Sequence, residues 1–166
     1  RDDADGEVDS LFGHIGYQFD AHWDLSLHIT HTEASANDPR AENAAALPRT
    51  EQYSTDAEFY VLQLGHTYES HQGFIKAYYE DGWAKWEQWD SDNNEAFDHY
   101  PLWDNYGVHV RETVGLWQGS TLALGVDYDV VSADAKDVNR TTGATENRLE
   151  ETFRKTAPYA LVSQKI

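Results

Sequence analysis

The chain has 166 residues, a net charge of −18, and neither Cys nor Met. That charge repels phosphate and excludes nucleic acid as a partner, and the missing Cys excludes disulfides, thiolate metal sites and thiol nucleophiles. Aromatics reach 13%, too many for a disordered chain, yet no run approaches the roughly 18 apolar residues of a transmembrane helix.

Arg1 stands first and no signal peptide is visible, so a processed chain or a fragment is expected. Residues 1–9 are acidic and read as a loop end. From about Ser10 to Phe19, Leu11, Ile15, Tyr17 and Phe19 alternate with Ser10, His14, Gly16 and Gln18. This period of two marks a strand wet on one side only. After a short turn at Asp20-Ala21-His22, a second strand sets Trp23, Leu25, Leu27 and Ile29 against Asp24, Ser26, His28 and Thr30. A polar connection follows, rich in Asn, Asp and Pro, which favour turns over ladder pairing. Within it Asn43 to Leu47 reads as one helical turn.

The third strand, about Asp56 to Tyr68, sets Tyr60, Leu62, Leu64 and His66 against Phe59, Val61, Gln63 and Gly65. A short turn leads to a fourth strand with Ile75, Ala77 and Tyr79 on one face. Beyond a loop rich in Trp, Asp and Asn lies the clearest hairpin. Tyr106, Val108, Val110, Val114 and Leu116 precede Gln118-Gly119, and Leu122, Leu124, Val126, Tyr128 and Val130 follow it. Glycine supplies the backbone freedom such a turn requires. A last strand starts near Phe153, with Ala157, Tyr159 and Leu161 expected on the apolar face and Pro158 at a bulge or sheet margin.

The predicted fold is therefore all-β: an antiparallel meander of about seven long strands, in one domain over 1–166 with long loops at about 32–55, 82–102 and 132–151. Strands of about ten residues exceed the usual five or six and match the 9–11 or so that cross a bilayer at a tilt. Short and long connections alternate strictly, which places short turns at one end and long loops at the other. Bacterial outer-membrane barrels show this asymmetry, so the chain reads as a section of a transmembrane β-barrel. The residues expected to face lipid are Leu25, Leu27, Ile29, Leu62, Leu64, Val108, Val110, Leu122, Leu124, Val126 and Tyr128.

Several stretches sharpen this. Asn105 to Thr113, Leu116-Trp117-Gln118-Gly119, Leu122 to Tyr128, Gly73 to Tyr79 and Ala157 to Val162 together resemble barrel strands of a TonB-dependent outer-membrane receptor. The resemblance implies import of a scarce ligand, such as a siderophore or another metal complex, across the bacterial outer membrane. It also implies a bilayer, further barrel strands, a plug and the TonB complex as partners. Such barrels close with about 22 strands around a plug. Here neither plug nor TonB-contacting segment is visible, and Ser163-Gln164-Lys165-Ile166 lacks a terminal aromatic. The chain thus reads as one section of a barrel.

Candidate ligand contacts lie in the second long loop: Trp89, Asp90, Asp92, His99, Tyr100 and Trp103. Trp83 and Trp23 read as interfacial girdle residues at opposite rims. Asp90 to Glu95 starts like a calcium loop, but Glu95 replaces the sixth-position Gly and Pro101 the twelfth-position Glu, so a flexible acidic loop is expected. His66, Glu69 and His71 gather at one turn, and His14, His22, His28 and His31 in the first hairpin. Without compact ligand spacing these read as polar lumen, with no metal and no cofactor. There is no nucleophile elbow, phosphate loop or metalloprotease motif, so no catalytic residue and no enzyme is expected. The competing readings are a small structural or adhesive barrel and a soluble β-sandwich or lipocalin-like binding module. The soluble reading requires Leu25, Leu27, Leu122, Leu124 and Val126 to point into a packed core.

Overall fold

A computed structural model describes residues 6–38, 51–90 and 95–165. Seven strands, β1 (Gly6–Gln18), β2 (Trp23–Asp38), β3 (Glu51–Thr67), β4 (His71–Asp90), β5 (Glu95–Trp117), β6 (Ser120–Asn139) and β7 (Thr145–Gln164), form one antiparallel sheet in chain order. The meander is as expected. The sheet is open, with β1 and β7 as its edges, and each strand pairs only with its neighbours in sequence.

Register fixes the faces, because side chains alternate and a one-residue slip would send each to the other side. Tyr17, Leu25, Leu64, Ile75, Val110, Val126 and Pro158 stand in one row across all seven strands. The next row holds Ile15, Leu27, Leu62, Ala77, Val108 and Tyr128, and the next Ile29, Tyr60, Tyr79, Tyr106 and Val130. All eleven residues expected on the apolar face share it. From Leu122 to Val130 this band runs about 27 Å along β6 at roughly 3.4 Å per residue. A charged row, His31, Glu58, Asp81 and Asp104, ends it abruptly.

This face is uncovered. Leu62, Ile75 and Leu124 remain about half exposed, at 49%, 51% and 48%. Among the described residues no second sheet covers Leu122, Leu124 and Val126. The sealed core required by the sandwich reading is not formed. Among the described residues the buried apolar set is small: Ala84, Ala123 and Val130.

The structure departs from the sequence reading in three places. The stretches 82–90, 95–102 and 132–139, expected within long loops, are continuations of the ladder. Between β6 and β7 the turn is only Arg140 to Ala144, where Asn139 Oδ1 accepts from the backbone N–H of Thr141 and Thr142 at 2.9 and 3.0 Å, with Gly143 at φ 70°. The backbone keeps pairing past the apolar band, and polar cross-strand pairs support it where hydrophobic alternation is gone. The middle of 32–55, including the helical turn expected at 43–47, lies outside the described residues. Second, the face of β7 is inverted. Pairing of Val126 with Pro158 puts Pro158, Ala160 and Val162 on the apolar side, and Ala157, Tyr159 and Leu161 on the other. Third, the flexible acidic loop expected over Asp90 to Glu95 is bounded by paired strand, with Asp90 opposite Glu95 and Pro101 in the ladder opposite Ala135; 91–94 lie outside the described residues. The β4–β5 pairing lapses between Trp83–Leu102 and Trp86–His99, where Pro101 has no N–H to give.

Candidate functional site

The second face of the sheet carries the polar side chains, and they are joined. Tyr78 Oη donates to Asp129 Oδ1 at 2.8 Å, and His109 Nε2 lies 2.7 Å from the same oxygen. Lys155 Nζ is 3.9 Å from Asp129, and Asp127 is 3.9 Å from His109 Nδ1. Tyr78 and Asp129 stand on β4 and β6 and meet across β5 at Gly107. Only glycine allows this approach, because a Cβ there would lie 2.6 Å from the Tyr78 ring and 2.8 Å from Asp129 Oδ1. Farther along this face, Trp103 Nε1 donates to Glu80 at 3.1 Å and Asn105 Nδ2 to the same carboxylate at 3.3 Å. His14 and His28, expected together on the polar side, are paired with ring centroids 5.8 Å apart. Such a surface offers fixed donors and acceptors to water and polar solutes, and its buried acids are each partnered.

The six residues expected to contact ligand do not form one site. His99 and Trp103 share the polar face; His99 contacts Asp137 and packs beside Trp86 with centroids 5.3 Å apart. Tyr100 points to the opposite face, with Lys85 and Lys136 Nζ 5.9 and 5.6 Å from its ring centroid. Trp89 and Asp90 end β4, paired with Ala96 and Glu95. Asp92 lies outside the described residues. Trp103 belongs to the polar face, whereas Trp23 and Trp83, read as girdle residues, stand on the apolar face.

Sequence reasoning missed the row Tyr60, Tyr79 and Tyr106, which borders the apolar band on three consecutive strands. The signal was there: one Tyr at the same distance from the charged row in each strand. Beyond that row, Arg140 contacts Glu87 and places Nε 2.7 Å from Asp98 Oδ1, with Lys85 3.4 Å from the same side chain. Burial alone would lower the Arg140 pKa, but the bonds to Glu87 and Asp98 outweigh it and the group is raised. At the opposite end, the Asp20 carboxyl is held below its ordinary range by the backbone N–H groups of His22 and Trp23, 2.7 and 3.0 Å away.

Two clusters of imidazole and carboxylate lie at the two ends of the apolar face. At the Tyr-bordered end, His31 is 3.4 Å from Glu33, 3.6 Å from Glu58 and 3.8 Å from Asp56. At the short-turn end, His66, His71 and Glu112 converge, with His66 Nε2 3.1 Å from Glu112 Oε2. This corrects the polar-lumen expectation for His66 and His71, which lie on the apolar side. Glu69, expected with them, is not a member; Glu112 replaces it. The signal for Glu112 was an acid in the apolar phase of Tyr106, Val108, Val110, Val114 and Leu116. No known family model matches the chain, and comparison with curated proteins finds no match.

Proposed function

We propose that this chain is a section of an outer-membrane β-barrel receptor of the TonB-dependent type, which imports a scarce ligand such as a siderophore or another metal complex. The observation that carries the reading is the inverted exposure of the sheet. Its apolar side chains stand half open along a band bounded by a tyrosine row and then an acid row. On the other face the Asp129 and Glu80 carboxylates accept hydrogen bonds, and the Asp129 side chain is 15% exposed. A water-soluble sheet does the reverse, and an uncovered apolar surface of this extent marks contact with lipid or a partner. Tyrosines at the edge of an apolar band fit a membrane interface, where an amphipathic ring meets both media. The interior then holds the Tyr78–Asp129–His109 and Trp103–Glu80–Asn105 networks, suited to a wet passage. The receptor type and its import role rest on the resemblance of the strand motifs.

The absence of Cys from the sequence makes the membrane part directly testable. Single Cys residues at Leu62, Val126, Gln63 and Asp127, each carrying a nitroxide label, are placed in the protein in vesicles. Labels at Leu62 and Val126 should respond to oxygen dissolved in lipid, and those at Gln63 and Asp127 to a water-soluble relaxation agent. Equal response of all four to the aqueous agent would defeat the membrane assignment. The import role is tested separately by energy-dependent uptake of ferric siderophores in cells with and without the gene. A chain that folds alone in detergent as a closed unit would point instead to a small structural barrel.

A further inference from the structure

We infer that His66, His71 and Glu112 form a binding site for one divalent transition-metal ion, which staples the β3–β4 turn to β5. The inference concerns the short-turn rim of the sheet and does not depend on what the protein imports.

Trp23, His66, Gly73, Glu112 and Leu124 stand in one row on the apolar face. Glu112 is the only carboxylate between Val108 and Leu116 on this side of β5, flanked by Val110 and Val114. The basic group beside this carboxylate is the His66 imidazole, with Nε2 3.1 Å from Oε2. His66 and Glu112 belong to strands separated by β4, and they meet because the position between them has no side chain. A Cβ on Gly73 would lie 2.3 Å from Glu112 Oε2 and 2.8 Å from the His66 ring. The bare backbone at Gly73 is the floor of the site.

The donor set has the chemistry of a metal centre. Two imidazoles and a carboxylate, with a fourth position for water, suit Zn2+ and its neighbours in the first transition series. Metal–ligand distances of about 2.0–2.1 Å in a tetrahedron put donor atoms roughly 3.3 Å apart. His66 Nε2 and Glu112 Oε2 are already 3.1 Å apart, and all three ligand atoms lie within 4.8 Å of one another. A rotation of the His71 side chain by an ångström or so, on the order of rotamer adjustment, closes the set.

The surroundings hold the ligands in place. Tyr68 stacks on His71 with centroids 4.6 Å apart and an interplanar angle of 15°, and its hydroxyl accepts from Trp23 Nε1 at 3.0 Å. The Trp23 ring sits 5.0 Å from that of His66. Ser70 Oγ is 3.3 Å from His71 Nδ1, an outer partner of the kind that orients a ligating imidazole through its other nitrogen.

The test uses the whole protein in detergent, stripped of metal, in a His31→Asn background that disables the other such cluster among the described residues. Calorimetric titration with Zn2+ should show one saturable equivalent. His71→Asn and Glu112→Gln should each weaken it by at least about tenfold, whereas His14→Asn should leave it unchanged. Absence of saturable Zn2+ uptake, or equal affinity in the His66→Asn/His71→Asn double variant, would overturn the site. A second readout needs no variant. One equivalent of Zn2+ should protect His66 and His71, but not His14, from carbethoxylation read by mass spectrometry. Unchanged labelling of His66 and His71 would equally overturn it.

Discussion

Replacing Leu62 by Arg separates a hydrocarbon environment from water by a wide margin. Leu62 stands in the middle apolar row between Leu27 and Ala77, 49% exposed. About half of its side chain is therefore already covered by the sheet. Losing that contact costs about 1 kcal/mol, half of the roughly 1.5–3 kcal/mol for full burial. Leu62→Ala measures this part alone, and the Arg stem restores some of it. If the exposed half faces bilayer hydrocarbon, the guanidinium adds about 2–4 kcal/mol near the midplane. That is roughly a 30- to 700-fold drop in the ratio of folded to unfolded protein at about 1.4 kcal/mol per tenfold. In water the same exposed Arg would change stability by no more than about 0.5 kcal/mol. Leu102→Arg is the internal control. Leu102 lies on the same face beside Trp83, beyond the charged row, where the penalty falls to about 0–1 kcal/mol. The assay is urea unfolding in lipid vesicles followed by tryptophan fluorescence. If Leu62→Arg costs no more than Leu102→Arg, with Leu62→Ala as baseline, the apolar face does not meet hydrocarbon and the membrane argument fails.

Gly107→Ala should destabilise by about 1–3 kcal/mol, the usual range for overpacking, because its Cβ would lie 2.6 Å from the Tyr128 carbonyl oxygen and from the Tyr78 ring; the same unfolding assay checks it. Tyr78→Phe removes one of the two hydrogen bonds to Asp129 and leaves His109, so a smaller loss of about 1 kcal/mol is expected by the same measurement. The Asp20 carboxyl is lowered by the turn's N–H groups, so its stabilisation is complete above the unfolded value of about 3.9 and is lost as pH falls through the lower folded value. Hydrogen exchange of the Trp23 amide, corrected for intrinsic rate, should follow that course, and Asp20→Ala should abolish it. Arg140→Ala should loosen the β6–β7 turn by about 1 kcal/mol and make that end less sensitive to salt, because its ion pairs with Glu87 and Asp98 are lost; exchange of the Gly143 amide with and without added salt reads both.

The meander was legible because period-two alternation is a local signal, and the face shared by Leu25, Leu62, Val108 and Leu124 follows from it. Strand ends were not legible. Past Asp81 and Asp104 the alternating residues are Trp, Lys, Asp and His, whose pairing depends on the neighbouring strand. Hydrophobicity ended there while the ladder continued, and extended hairpins were read as loops. The phase of β7 failed for a related reason. Leu161 and Val162 are adjacent and both apolar, so only pairing with β6 decides which of them joins the row. The convergence of His66 with Glu112 joins residues far apart in sequence, and depends on the missing side chain of Gly73. The residue types were visible, but their meeting required the register of three strands.

The open edges of the sheet follow from the same logic as its apolar face. In hydrocarbon a free N–H or C=O costs several kcal/mol, so a spanning strand must be paired on both sides. In β1, Leu11, Ile15 and Tyr17 are 71%, 71% and 65% exposed, and in β7 Val162 is 63%. These strands carry the apolar rows as fully as the middle of the sheet does, yet each has a neighbour on one side only. An edge meant to stay open in water is usually protected by charge, proline or a bulge. β1 has none of these between Leu11 and Tyr17. β7 has Pro158 within its apolar segment, but Ala160 and Val162 continue the row past it. The membrane reading therefore requires a partner strand beside β1 at the level of Leu11 to Tyr17. A benzophenone attached to Cys introduced at Gly13 would crosslink to it on illumination, from a position where an added side chain meets nothing within 4 Å.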